Sequence, residues 1–116
     1  MRKIVLIGAG NVATHLGQAL TASGYNIVQV YSRTEESARQ LADKLSVTFS
    51  IDITNISGDA DIYIIAVKDE AIEDIADQIN VSDKLIVHTS GSISMDILKN
   101  SSENYGVLYP LQTFSK

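Results

Sequence analysis

Short runs that are apolar at every position alternate along this chain with longer stretches that are apolar on one face only. No other feature restricts the fold as much. Lys3–Ile7 is the first such run, the pattern of a strand covered on both faces. Residues 11–23 then place Val12, Leu16, Ala19 and Leu20 on one helical face, and Gly24 is read as the C-cap that ends the helix. Residues 27–31 form a second β-branched strand. Residues 34–45 carry Ala38, Leu41, Ala42 and Leu45 along one stripe, with Ser32 and Glu35 spaced as a capping box. Residues 47–51 read as a short third strand and 52–57 as a helical turn or loop. Residues 61–67 are the strongest strand pattern in the chain. The helix after it is expected to be capped by Asp69 and to pack through Ile72, Ile75, Ala76 and Ile79. A fifth strand over 84–88, a short helix over 95–99 and a sixth strand over 105–108 complete the pattern.

Strands that alternate with helices of this length pair in parallel through right-handed crossovers. The expected fold is therefore an α/β Rossmann-type, doubly wound sheet of six mainly parallel strands in the order 3-2-1-4-5-6. With 116 residues the chain is one domain's worth. It has no cysteine, which excludes a disulfide scaffold, cysteine-ligated zinc, iron–sulfur clusters and thiol chemistry. A net charge of −5 is the wrong sign for a general nucleic-acid footprint. No apolar run reaches the roughly 18 residues of a membrane span. Arg2-Lys3 followed by Ile4-Val5-Leu6-Ile7 imitates a secretion signal, but Gly8, Gly10 and Asn11 interrupt the run where an h-region would continue, so the chain is read as cytoplasmic.

The chemistry concentrates at the ends of the expected strands. Gly8-Ala9-Gly10-Asn11-Val12-Ala13 has the form G-x-G-x-x-A. Gly8 permits a tight turn, Gly10 lets backbone approach a pyrophosphate, and Ala13 lets helix and strand pack closely. The helix start adds unpaired N–H groups and a positive dipole end. The motif follows a buried strand and opens an amphipathic helix, which favours a dinucleotide site over a purely structural glycine turn. At the end of the second strand NAD sites place an acid; here Tyr31-Ser32-Arg33-Thr34 stands instead. A guanidinium between two hydroxyls suits a 2′-phosphate and so NADP, and Arg33 can also lie flat on adenine, or simply be a solvated loop arginine.

Ala66, Val67 and Lys68 end the strongest strand, where ribose and nicotinamide would lie; Lys68 is either a substrate or ribose contact or a solvated lysine. At the end of the fifth strand, His88-Thr89-Ser90-Gly91-Ser92 either receives an anionic or carbonyl substrate or caps the next short helix. His88 has two readings, a proton relay or a half-buried packing residue. Lys68, His88 and Ser90 are thus the catalytic candidates, and His15 is read as a surface residue near the phosphates. Only two histidines exist, and no spacing suggests a metal site.

Taken in order, IGAGNVATHL, YSRT, ADIYIIAVKDEAI, HTSGS and GVLYPLQTFS resemble the Rossmann-like proteins that carry a DUF2520 C-terminal domain. That group is similar to pyrroline-5-carboxylate reductase, ketopantoate reductase and the F420-dependent NADP oxidoreductases. The resemblance implies that residues 1–116 are an NADP-binding domain. A helical C-terminal domain would complete the substrate site and form homodimers in the longer family members. It also implies Gly8, Gly10, Asn11 and Val12 on the pyrophosphate, Ser32, Arg33 and Thr34 on the 2′-phosphate, Val67 and Lys68 by the nicotinamide ribose, and Thr89, Ser90 and Gly91 by the reacting end; Ala9 and Ala66, within the same segments, are read as cofactor-binding with them. Prephenate dehydrogenase-like enzymes carry a His-Pro pair after the sixth strand, where this chain has Tyr109-Pro110. The apolar-rich stretch from Tyr109 to Phe114, where a complete domain is usually polar and frayed, leads to the expectation of a fragment whose isolated form is inactive. The expected function is hydride transfer between NADP(H) and a small carbonyl or imine compound. An NADPH-sensing module without catalysis and an interaction domain with an empty fingerprint are the other readings.

Overall fold

The computed structural model describes residues 2–90 and 92–108. The elements run β1 (Lys3–Ile7), α1 (Asn11–Ala22), β2 (Asn26–Tyr31), α2 (Glu35–Leu45), β3 (Thr48–Ser50), a 3-10 turn (Ile53–Asn55), β4 (Ile62–Ile65), α3 (Asp69–Asp77), β5 (Leu85–His88), a second 3-10 turn (Met95–Leu98) and β6 (Asn104–Val107). All pairings are parallel and the strand order is β3-β2-β1-β4-β5-β6, as the alternation of periods predicts.

The continuous apolar run of β1 is explained by its two coverings. Ile4 and Leu6 pack with Ala13, Leu16, Val30, Leu41 and Ile64 beneath α1 and α2. Val5 and Ile7 face the opposite way, into a cluster with Tyr63, Ile65, Ile86, Leu98, the α3 residues Ile72, Ile75 and Ala76, and Ile79 just after that helix. Each apolar side chain buried in this way is worth roughly 1.5–3 kcal/mol. Within the second cluster Tyr63 is fully buried and its hydroxyl donates to the Ser57 carbonyl at 2.6 Å. Burial pushes its phenol above the usual tyrosine range. At the amino edge of the sheet, the Lys3 amide donates to Asp61 at 2.8 Å and holds that carboxyl below its ordinary value.

Several local expectations are corrected. The buried stripe of α1 is Ala13, Leu16 and Gly17, with Val12 39% exposed, so the helix is turned relative to the stripe through Val12 and Ala19. Gly17 is the cause: a Cβ there would sit 2.9 Å from a Leu45 methyl and 3.1 Å from a Leu6 methyl, so its bare backbone is the contact surface. A hydropathy stripe gives glycine no weight and misses this.

The Ser32–Glu35 capping box does not form. The Ser32 amide still donates to the Ser50 carbonyl at 3.2 Å, which keeps Ser32 with the sheet, and Thr34 is the N-cap without a side-chain cap bond. Lys68, not Asp69, is the N-cap of α3, and Asp69 enters the first turn, where it complements the helix dipole. Ser23 occupies the C-cap of α1, and Gly24 follows it at φ +93°. The fourth strand is trimmed to Ile62–Ile65, releasing Ala66 and Val67 into the turn. The expected helix over 95–99 is a 3-10 turn. No helix among the described residues is long and apolar enough to cross a membrane. Gly91 and the stretch from Tyr109 to Phe114 lie outside the described residues.

Candidate functional site

In this strand order the chain reverses direction across the sheet between β1 and β4, and the loops leaving those two strands diverge to open a crevice. Gly8 fixes the geometry of its floor. Its φ is +127°, its amide donates to the Tyr31 carbonyl at 2.7 Å, and a Cβ on it would lie 2.2 Å from the Ala66 carbonyl oxygen. Only glycine permits that approach of the β1 and β4 exits.

Gly10 differs in kind. Its φ of −82° suits any residue, and a Cβ there meets nothing within 4 Å. Nothing in the protein requires the missing side chain, yet Gly10 lines the cleft at the head of α1. The open space is what a group approaching the backbone needs. The start of α1 also has no side-chain cap and no acid in its first turn, whereas α2 begins with Glu35 and Glu36 and α3 with Asp69 and Glu70. An anion is thus favoured at α1 alone by both open N–H groups and the absence of competing carboxylates.

The cleft measures about 630 Å3. One wall is Gly8-Ala9-Gly10-Asn11-Val12, a second is Ser32-Arg33-Thr34 after β2, and a third is Ala66-Val67-Lys68 after β4. The structure brings these eleven sequence-identified residues together. Arg33 is exposed and makes no hydrogen bond or ion pair among the described residues, so its guanidinium is available to a ligand.

Thr89 and Ser90 do not line this cleft. They leave β5, the strand next to β4, where Ile65 pairs with His88. His88 is fully buried, more than the half-buried state expected, and both ring nitrogens are engaged. Nδ1 accepts from the Ser90 amide at 3.1 Å, which fixes the Nε2–H tautomer, and Nε2 donates to the Ser94 carbonyl at 3.3 Å. The ring is therefore a structural staple at the β5 exit, away from the cleft. His15 is exposed in α1. No metal-binding cluster of histidine, cysteine, aspartate or glutamate occurs among the described residues.

Six further residues line the cleft beyond those the motifs assign to it: Tyr31, Ser37, Asp69, Ala71, Asp74 and Ile75. Helical spacing holds the clue for the last three. Counting from Val67, positions 71, 74 and 75 continue one face of α3, so a wall begun by the β4 exit extends along that helix.

Comparison with known proteins agrees with this geometry. Residues 3–91 match the family model described as NADP oxidoreductase, coenzyme F420-dependent. A solved structure of a candidate NADP oxidoreductase from Bacteroides fragilis is 45% identical, with a TM-score of 0.83 over 99% of this chain and 46% of its own. Pyrroline-5-carboxylate reductase of Coxiella burnetii shares the fold at 23% identity and a TM-score of 0.72, over 84% of this chain and 38% of its own. So does prephenate dehydrogenase of A. aeolicus, solved with hydroxyphenyl propionate and NAD+, at 15% identity and a TM-score of 0.71 over 88% and 40%. The chain thus spans less than half the length of these solved proteins. No curated protein matches it.

Proposed function

Because the chain belongs to the family of coenzyme F420-dependent NADP oxidoreductases, we propose that it binds NADP(H) in this cleft as the dinucleotide domain of an enzyme that acts on a small carbonyl or imine compound. The observation that carries this reading is Gly10: a glycine that its own fold does not need, lining a cleft at an uncapped helix start. The first turn of α1 holds the pyrophosphate through its N–H groups. Arg33, between the Ser32 and Thr34 hydroxyls, neutralises the 2′-phosphate.

When bound, nicotinamide supplies the hydride chemistry, and the protein supplies geometry and exclusion of water. Val67 packs against Gly8 and forms the wall beside the nicotinamide ribose, with Lys68 at the rim. Thr89 and Ser90, at the exit of the adjacent strand β5, are assigned to the reacting end beyond the cleft. The catalytic group is sought among Lys68 and Ser90 and any part of a longer protein that closes over the cleft. A helical domain beyond these residues is proposed to complete the substrate site and the homodimer. Residues 1–116 alone are then expected to bind NADPH without turnover, against measurable kcat/KM for a longer version on the same substrates; equal values for the two would place the whole active site here.

A thermal-shift series with NADPH, NADP, NADH and NAD tests the cofactor. NADPH is expected to stabilise the chain more than NADH does, and Arg33→Ala to remove most of that difference. The charge-assisted contact is worth roughly 1.5–3 kcal/mol, or about ten- to a hundredfold in affinity. Equal stabilisation of the unaltered chain by NADH would overturn the 2′-phosphate assignment.

A further inference from the structure

The cleft carries an acid that phosphate binding does not explain. Asp74 lines it from the third wall, on the same face of α3 as Ala71 and Ile75. Its carboxylate makes no hydrogen bond or ion pair among the described residues, although Arg33 lines the same cleft. Asp69, the other acid in the cleft, lies in the first turn of α3 and is stabilised there by the helix dipole. Asp74 is beyond that turn and has no such support, and aspartate is a poor helix former. A carboxylate facing an anionic dinucleotide is unfavourable unless it meets a hydrogen-bond donor.

The layout of the cleft indicates which donor. The 2′-phosphate and the base belong to the same ribose, so a phosphate at Arg33 sends the base to the neighbouring wall rather than towards β5. That wall is α3. Ala71 is small and leaves room for a planar ring, and Asp74 stands beside it at i+3 with its side chain exposed. Of the groups on an adenine edge, the exocyclic 6-amine is the donor.

We propose that Asp74 selects the base: its carboxylate accepts a hydrogen bond from the 6-amine of the adenine and makes the α3 wall an adenine-specific subsite. This rests on the NADP(H) reading of the cleft and adds base selection to it.

The test compares NADPH with its purine analogue, in which hydrogen replaces the 6-amine and N1 stays an acceptor. The unaltered chain should bind NADPH about tenfold more tightly than the analogue, the size of one partly solvated charge-assisted hydrogen bond. Asp74→Ala removes the acceptor from an exposed helix position, so the two affinities should converge to within about twofold. The NADPH-over-NADH ratio, set at Arg33, should stay as it was. Equal binding of both dinucleotides by the unaltered chain overturns the proposal while leaving the cofactor reading intact. A tenfold preference that survives Asp74→Ala overturns it too, since another group would then read the base. Failure of the unaltered chain to bind NADPH at all removes both.

Discussion

Gly8→Ala is expected to melt more than about 10 °C below the unaltered chain, while Gly10→Ala melts with it and loses NADPH. The two glycines stand two residues apart in one motif, yet their surroundings differ completely. A methyl at Gly8 would sit 2.2 Å from the Ala66 carbonyl oxygen and 2.8 Å from its carbon. These are backbone atoms at the exit of β4, held by the Ala66 amide's 2.7 Å bond to the Ile7 carbonyl. Relief requires β1 and β4 to part at the centre of the sheet, and φ +127° is itself strained for alanine. Strain and overpacking together cost roughly 3 kcal/mol or more. At Gly10 the φ is −82° and the space beyond is open, so stability should change by less than about 0.5 kcal/mol. The same methyl would stand where a pyrophosphate must approach the backbone, lowering NADPH affinity about tenfold or more. A Gly10→Ala chain that binds NADPH like its parent would show that the head of α1 is not the phosphate cradle. A Gly8→Ala chain of unchanged melting temperature would show that the β1–β4 exit relaxes far more easily than a packed backbone should.

The same contrast marks what the sequence could disclose. Strand order was legible because β1 is apolar on both faces and its neighbours alternate with one-sided helices, a pattern that few topologies satisfy. Two walls of the cleft were legible because their residues are consecutive: Gly8 to Val12 and Ser32 to Thr34 each form one uninterrupted segment. Ser37, Ala71 and Asp74 were not, since they reach the cleft by helical spacing from an element whose start must first be known. Helix starts are where the reading failed, because capping depends on backbone bonds made elsewhere. Ser32 offers its side chain as a cap, but its amide is engaged with Ser50, eighteen residues ahead and brought close only by the sheet. The rotation of α1 was hidden for a related reason: at Gly17 the absence of a side chain makes the contact, and hydropathy cannot register it.

His88→Leu should destabilise the chain by about 2–3 kcal/mol, a larger loss than its place at a strand end suggests. Leucine matches the ring in bulk and suits the apolar face that Ile86 shares, so packing is largely kept. Hydrogen bonding is not. The Ser90 amide, in a residue only 9% exposed, would lose the acceptor it now has in Nδ1 at 3.1 Å. A buried donor left without a partner costs roughly 1–3 kcal/mol. The Ser94 carbonyl would lose Nε2–H but belongs to an exposed residue and can turn to water, so it adds less. His88→Asn, whose Oδ1 can stand near the place of Nδ1, should recover about half of the loss. Hydrogen exchange reads the mechanism directly: the Ser90 amide should be protected in the parent, fast in His88→Leu and intermediate in His88→Asn. If the Thr89–Ser90 loop borders the nicotinamide, His88→Leu should also weaken NADPH without weakening adenosine 2′,5′-bisphosphate, which has no nicotinamide half. Equal weakening of both ligands would mean that His88 supports the sheet as a whole, and unchanged Ser90 exchange would mean that the ring does not hold the loop.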